Sequence, residues 1–188
     1  MVNKKIGDIV SMSRTKKLLI VLIILLLIPV FIFIAYNLLI VNPAKKEMKS
    51  ISLQFLDINK FHIKNEYLDN DKLLIEGNQN VLVQNFEKNL KKVMISSAPQ
   101  YKTRVNNYNL YLKEYQGKPY LFVDKIIKFK KVTNFKYNSN SADIEMTFTT
   151  IEVTELSESK YEEVCSFHFE KVDGKWMIQE YYENYTDI

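Results

Sequence analysis

Leu18 to Val41 is a run of 24 residues without a charged side chain. A helix of that length spans about 36 Å, more than the roughly 30 Å hydrocarbon layer of a bilayer. A secretory signal peptide would have a shorter apolar region, about 7–15 residues, ending in a small-x-small cleavage site. The sequence FIFIAYNLLIV offers no such site. A helix apolar on every face also has no polar side to present to water. Pro29 falls mid-span, where membrane helices tolerate proline. The expected organisation is a basic cytoplasmic tail over residues 1–17, a transmembrane helix over 18–41 and an extracytoplasmic domain over 42–188.

Charge sets the expected orientation. Lys4, Lys5, Arg14, Lys16 and Lys17 precede the span, and Lys45, Lys46 and Lys49 follow it closely. The positive-inside rule places the N-terminus in the cytoplasm of a single-pass cell-membrane protein. Beyond the span the charges sum to zero, so the basic character belongs to the membrane-flanking tail and no nucleic-acid partner is expected. Asn42–Lys136 holds 18 basic and 9 acidic residues, and Tyr137–Ile188 holds 3 and 12. These halves are expected to fold against each other rather than to form a basic docking patch. Cys165 is the sole cysteine, so no intrachain disulfide can form. All basic residues but Arg14 and Arg104 are lysines, a composition typical of low-GC bacterial genomes.

After the span, Asn42 can cap a helix with Pro43 in its first position. Met48, Ile51, Phe55 and Ile58 then form an amphipathic stripe. A polar, turn-rich stretch follows over Glu66–Asn80. A second helix is predicted from Asn80 to Ser96, with Leu82, Phe86, Leu90 and Val93 on one face, stopped by Ala98-Pro99. Tyr108, Leu110 and Leu112 suggest a strand before Gly117. Period-two alternation is plain at Ile127, Phe129, Phe135 and Tyr137, at Ile144, Met146 and Phe148, and at Cys165, Phe167 and Phe169. Asp173-Gly174 is a hairpin signal, and Trp176 and Ile178 continue the apolar face beyond it. Phe167, Phe169, Trp176 and Ile178 are the expected core of this terminal hairpin. The pattern is α+β: an antiparallel sheet with one apolar face covered by the preceding helices.

Two helices, a meander and the ending FHFEKVDGKWMI resemble the NTF2-like (cystatin-like) superfamily, in which a strongly curved sheet wraps around a helix. Phe167 to Ile178 is similar to the last hairpin of many bacterial members. The layout of tail, span and outer domain also resembles that of VirB8-like proteins of secretion and conjugation machines.

No catalytic constellation accompanies that resemblance. Enzymes of the superfamily place His, Asp, Glu or Tyr inside the cone. Here His168 has the parity opposite to Phe167 and Phe169, and His62 lies at the end of the first helix. Two histidines and one cysteine make no zinc set. The run Glu155, Glu158, Glu162 and Glu163 lacks EF-hand spacing and reads as a solvated hairpin loop. The four glycines form no phosphate loop. No metal and no cofactor are therefore expected. Tyr111, Tyr115, Tyr120, Tyr181, Tyr182 and Tyr185 are interface-type residues, and the trio Tyr181, Tyr182 and Tyr185 is the candidate interface. The expected role is a membrane-anchored, non-enzymatic interaction protein whose partner is another membrane protein or a second copy of itself. The alternatives are a binder of a small or lipid-like ligand, and an NTF2-like hydrolase or isomerase.

Overall fold

The computed structural model describes residues 14–60, 76–114, 124–153 and 157–187. The chain divides into two units, Met1–Ala44 and Lys45–Ile188. In the first, helix α1 (Arg14–Tyr36) presents its apolar side chains outward on every side, from Leu18 to Ile34, none of them buried by protein. It is long and apolar enough to cross a membrane. Pro29 sits inside it.

A π-helical turn, Asn37–Val41, follows. Asn42 is not the cap expected of it. Its φ of −66° and ψ of −43° are helical, and its N–H donates to the Asn37 carbonyl, five residues back. Pro43 accounts for the wide turn: it has no N–H, and its ring crowds the carbonyl four residues earlier. The Asn37 side chain donates to the Phe33 carbonyl at 2.9 Å, satisfying a group near the point where the ladder changes step.

The second unit is α+β. Helix α2 (Asn42–Asn59) runs into it and buries Met48, Ser52, Phe55 and Leu56. Helix α3 (Glu76–Leu90) is shorter than its sequence pattern predicts and buries Phe86 and Leu90. Val93 and Met94 follow in a turn whose N–H groups donate back to the Leu90 carbonyl; both are buried, and Met94 bridges Ile178 in parallel. Pro99 does not stop a helix but opens one. Helix α4 spans Pro99–Glu114 and takes in the residues expected to form a strand before Gly117. Its buried residues Tyr101, Tyr108 and Leu112 follow helical spacing, whereas Leu110 is 61% exposed, so the apparent alternation was coincidental.

Strands β1 (Asp124–Tyr137), β2 (Ser141–Val153), β3 (Glu158–Val172) and β4 (Lys175–Asp187) form a four-stranded antiparallel meander in sequence order. The β3–β4 turn has Asp173 at φ 50° and Gly174 at φ 79°, as a two-residue hairpin with right-handed strand twist requires. The central β2–β3 pairing is unbroken from Ser141–Glu170 to Val153–Glu158. The outer strands are irregular. β1 slips twice, between Phe129 and Lys131 and between Val132 and Asn134, so Phe129, Val132 and Phe135 all pair with the inward residues Phe148, Met146 and Ile144. β4 slips once, opposite His168 and Phe169, where Gln179 is extra. Bulges of this kind bend and twist a strand, curving the sheet around the helices.

The core lies between this face and α2. Phe55 packs against Phe167 and Tyr181, with ring centroids 5.8 and 4.8 Å away. Phe167, Phe169, Trp176 and Ile178 are all buried.

Candidate functional site

The bulge at Gln179 decides which tyrosine enters the molecule. Without it, the parity of Trp176 and Ile178 would carry Glu180 and Tyr182 inward. With it, Tyr181 pairs with Phe167 and is 2% exposed, while Tyr182 and Tyr185 stand 57% and 51% exposed. The trio is therefore not one surface. Tyr181 belongs to the core, Tyr182 shares the outer face with Glu180, and Tyr185 packs edge-on to Tyr161 at 5.2 Å.

Glu163 has the parity of Cys165 and Phe167, and it too points inward. Its side chain is 1% exposed. The solvated-loop reading of the acidic run fails here, because β3 already begins at Glu158 and an odd-numbered position on it faces the core. Burial of a carboxylate demands partners, and Glu163 has three. Thr150 Oγ1 donates to it at 2.7 Å, Cys165 Sγ donates at 3.3 Å, and Lys125 Nζ lies 3.4 Å away. Lys125 also reaches Glu152 at 3.9 Å. The Tyr161 hydroxyl donates to Glu152 at 2.6 Å, and the Tyr181 hydroxyl donates to Glu183. The Cys165 thiol stands 3.6 Å from the Tyr181 hydroxyl.

Above this network is a cleft of about 250 Å³ lined by Asn59, Lys60, Arg104, Lys125, Glu152 and Glu183, with Tyr111 beside them. The Arg104 guanidinium lies over the Tyr181 ring at 4.9 Å and donates to Asn59 Oδ1 at 3.4 Å. Burial pushes the pKa of the Tyr181 phenol up, reinforced by Cys165 and Glu183. It raises that of Tyr161, reinforced by Glu152, and that of Tyr185, reinforced by Glu183. These phenols stay protonated and act as donors. Burial likewise pushes the Cys165 thiol up, so it carries no thiolate near neutrality.

The opposite face of the sheet holds a groove of about 280 Å³ around Asp143, His168, Glu180 and Tyr182. His168 Nδ1 and Asp143 Oδ1 are 2.7 Å apart there, on the outer side. His62, Tyr115, Tyr120 and Glu155 lie outside the described residues. Among the described residues, no group of three His, Cys, Asp or Glu side chains is placed to hold a metal ion.

Sequence reasoning passed over Lys125, Thr150, Glu152 and Glu183, placed Glu163 in a solvated loop and gave Arg104 no role. The signal for Glu163 was present in the alternation of β3. For Arg104 it was present in the helical spacing of Tyr101, Tyr108 and Leu112.

No protein-family profile and no curated protein matches the sequence. Solved structures do align with it. One is a Xanthomonas campestris protein assigned as a calcium/calmodulin dependent protein kinase II association domain, 20% identical with a TM-score of 0.30, over 44% of this chain and 54% of that one. Another, designated Rd1NTF2_05, is 14% identical with a TM-score of 0.32, over 52% and 82%. The intermembrane space region of the chloroplast protein ARC6 is 9% identical with a TM-score of 0.36, over 66% and 99%. The chain thus spans about half the length of the Xanthomonas protein. All three alignments have TM-scores well under 0.5 and carry no argument about this chain's family or function. VirB8-like membership gains no support from them.

Proposed function

We propose that this chain is a single-pass membrane protein whose extracytoplasmic domain works by binding rather than by turnover. The observation that carries the second half of this reading is Glu163. Among the described residues it is the one buried acid, and both of its oxygens are engaged, by Thr150 and Lys125 on one side and Cys165 on the other. A general base needs a free lone pair aimed at substrate. This carboxylate is held as the inner half of an ion pair.

Binding then rests on the exposed aromatics. Tyr182 and Tyr185 offer large amphipathic contact area on the two faces of β4. The partner on this reading is another membrane protein or a second copy of the chain. A place in a secretion or conjugation assembly is its most specific form, supported by the tail, span and domain layout. The bias of five basic residues before the span against three just after it supports the outward orientation.

The test uses intact cells expressing the full chain. Ser157→Cys should react with an impermeant thiol reagent, while the buried Cys165 stays silent. Photo-crosslinkers at Tyr182 and Tyr185 should each trap a membrane-protein partner or a second copy. Protection of the new cysteine reverses the orientation. A monomer alone at both crosslinking positions ends the interaction reading.

A further inference from the structure

The outer domain, from Asn42 on, has twenty lysines and one arginine, and that arginine lines the cleft. The neighbouring lysines have acidic partners: Lys60 with Asp57 at 3.2 Å, and Lys125 with Glu163 and Glu152. Arg104 has none among the described residues. Its only polar contact there is a long hydrogen bond to Asn59, and its plane is held over the Tyr181 ring. A guanidinium has five N–H donors in a rigid fork that matches a carboxylate, and stacking fixes its rotamer before anything binds. Glu183 lines the same cleft yet does not pair with Arg104. Glu183 accepts from the hydroxyls of Tyr181 and Tyr185, and Glu152 accepts from Tyr161 with Lys125 at 3.9 Å, which leaves acceptor positions on both, since a carboxylate has about four. Arg104 and these carboxylates therefore stand apart in one small, mixed-charge space.

A simple anion entering this space would meet Glu152 and Glu183. A simple cation would meet Arg104 and Lys60. A molecule carrying both charges satisfies both sets. We propose that the cleft binds a small zwitterion, its carboxylate forked on Arg104 and its ammonium accepted by Glu183 and Glu152. This goes beyond the assembly reading above and does not depend on the tyrosine contacts of that reading.

The test is calorimetry on the full chain in detergent micelles, with glycylglycine as the zwitterion and propionate and propylamine as single-charge controls. Glycylglycine should bind about tenfold or more tightly than either control. Arg104→Lys keeps a cation over Tyr181 but loses the fork, and should weaken glycylglycine binding by about tenfold. Glu183→Gln should reduce glycylglycine binding and leave propionate binding equal or stronger. Tyr182→Ser, on the other face, should change none of these, although it would weaken the proposed protein contacts. Equal affinity for all three probes overturns the proposal, as does the absence of binding heat at about 50 mM. Unchanged glycylglycine binding in Arg104→Lys overturns it as well. If Arg104→Lys fails to fold, as judged by its thermal transition, Glu183→Gln decides alone: an unaltered preference for the zwitterion sinks the idea.

Discussion

The two faces of this sheet use similar chemistry to opposite ends. On the inner face, Glu163, Lys125, Thr150 and Cys165 are mutually bonded under cover. On the outer face, Asp143 and His168 sit as close as Thr150 and Glu163 do inside, at 2.7 Å, but both are substantially exposed. The distances are alike and the surroundings are not. Water competes for every charge on the outer face and screens the pair, so its closeness says little about stability. Inside, a charge that loses its partner has no water to replace it. Burial, rather than spacing, therefore marks where a charge constrains this fold.

Alkaline titration should show the largest effect of burial, at helix α4. Burial pushes the phenols of Tyr101 and Tyr108 up to about 12, from an ordinary value near 10. Glu87 adds to the effect at Tyr101. In both, the fold favours the neutral phenol. Their contribution to stability is complete below about pH 10 and is lost as pH rises through about 12. Chemical unfolding followed at successive pH values should show that decline, together with delayed tyrosinate absorbance. Tyrosinate absorbance appearing near pH 10, with no decline in stability between about pH 10 and 12, would mean these hydroxyls are in water.

Lys125→Met comes next. It strands the Glu163 carboxylate and should cost about 3 kcal/mol, the low end for a broken buried pair, since Lys125 keeps some exposure. Urea unfolding would read this, and a cost under about 1 kcal/mol would show that water reaches Glu163. The smallest effect belongs outside. Asp143→Asn should cost less than about 1 kcal/mol, and less still in high salt. If it matched Lys125→Met, the contrast between the faces would collapse.

Much of this was legible in the residue order. Charge-free length identified the apolar helix, Asp173-Gly174 the hairpin, and the alternation at Phe167 and Phe169 the inward face. The errors have local causes. A two-residue alternation at Tyr108, Leu110 and Leu112 resembled a strand because helix α4 exposes Leu110 between buried neighbours. Tyr181 was grouped with Tyr182 and Tyr185 because nothing in the string marks Gln179 as the residue left out of register. Glu163 was read by its acidic neighbours instead of by its parity. Composition outvoted position there, and position was right. The cleft escaped because its walls come from α2, α4, β1, β2 and β4, and no short motif spans such separations.

The meander also has a consequence for the order of folding. Each strand pairs with its neighbour in sequence, so the sheet can zip hairpin by hairpin with little loop closure. The helical segments cannot finish that way. Met94 awaits Ile178, Gln100 accepts from the Tyr181 backbone N–H, and Phe55 and Arg104 await the Tyr181 ring. All are contacts with β4, the last strand to be synthesised. During synthesis, the apolar stripe of α2 therefore lacks its β4 partners until the end of the sheet arrives. That interval is when the nascent domain is most exposed to proteases and to mispairing with other chains.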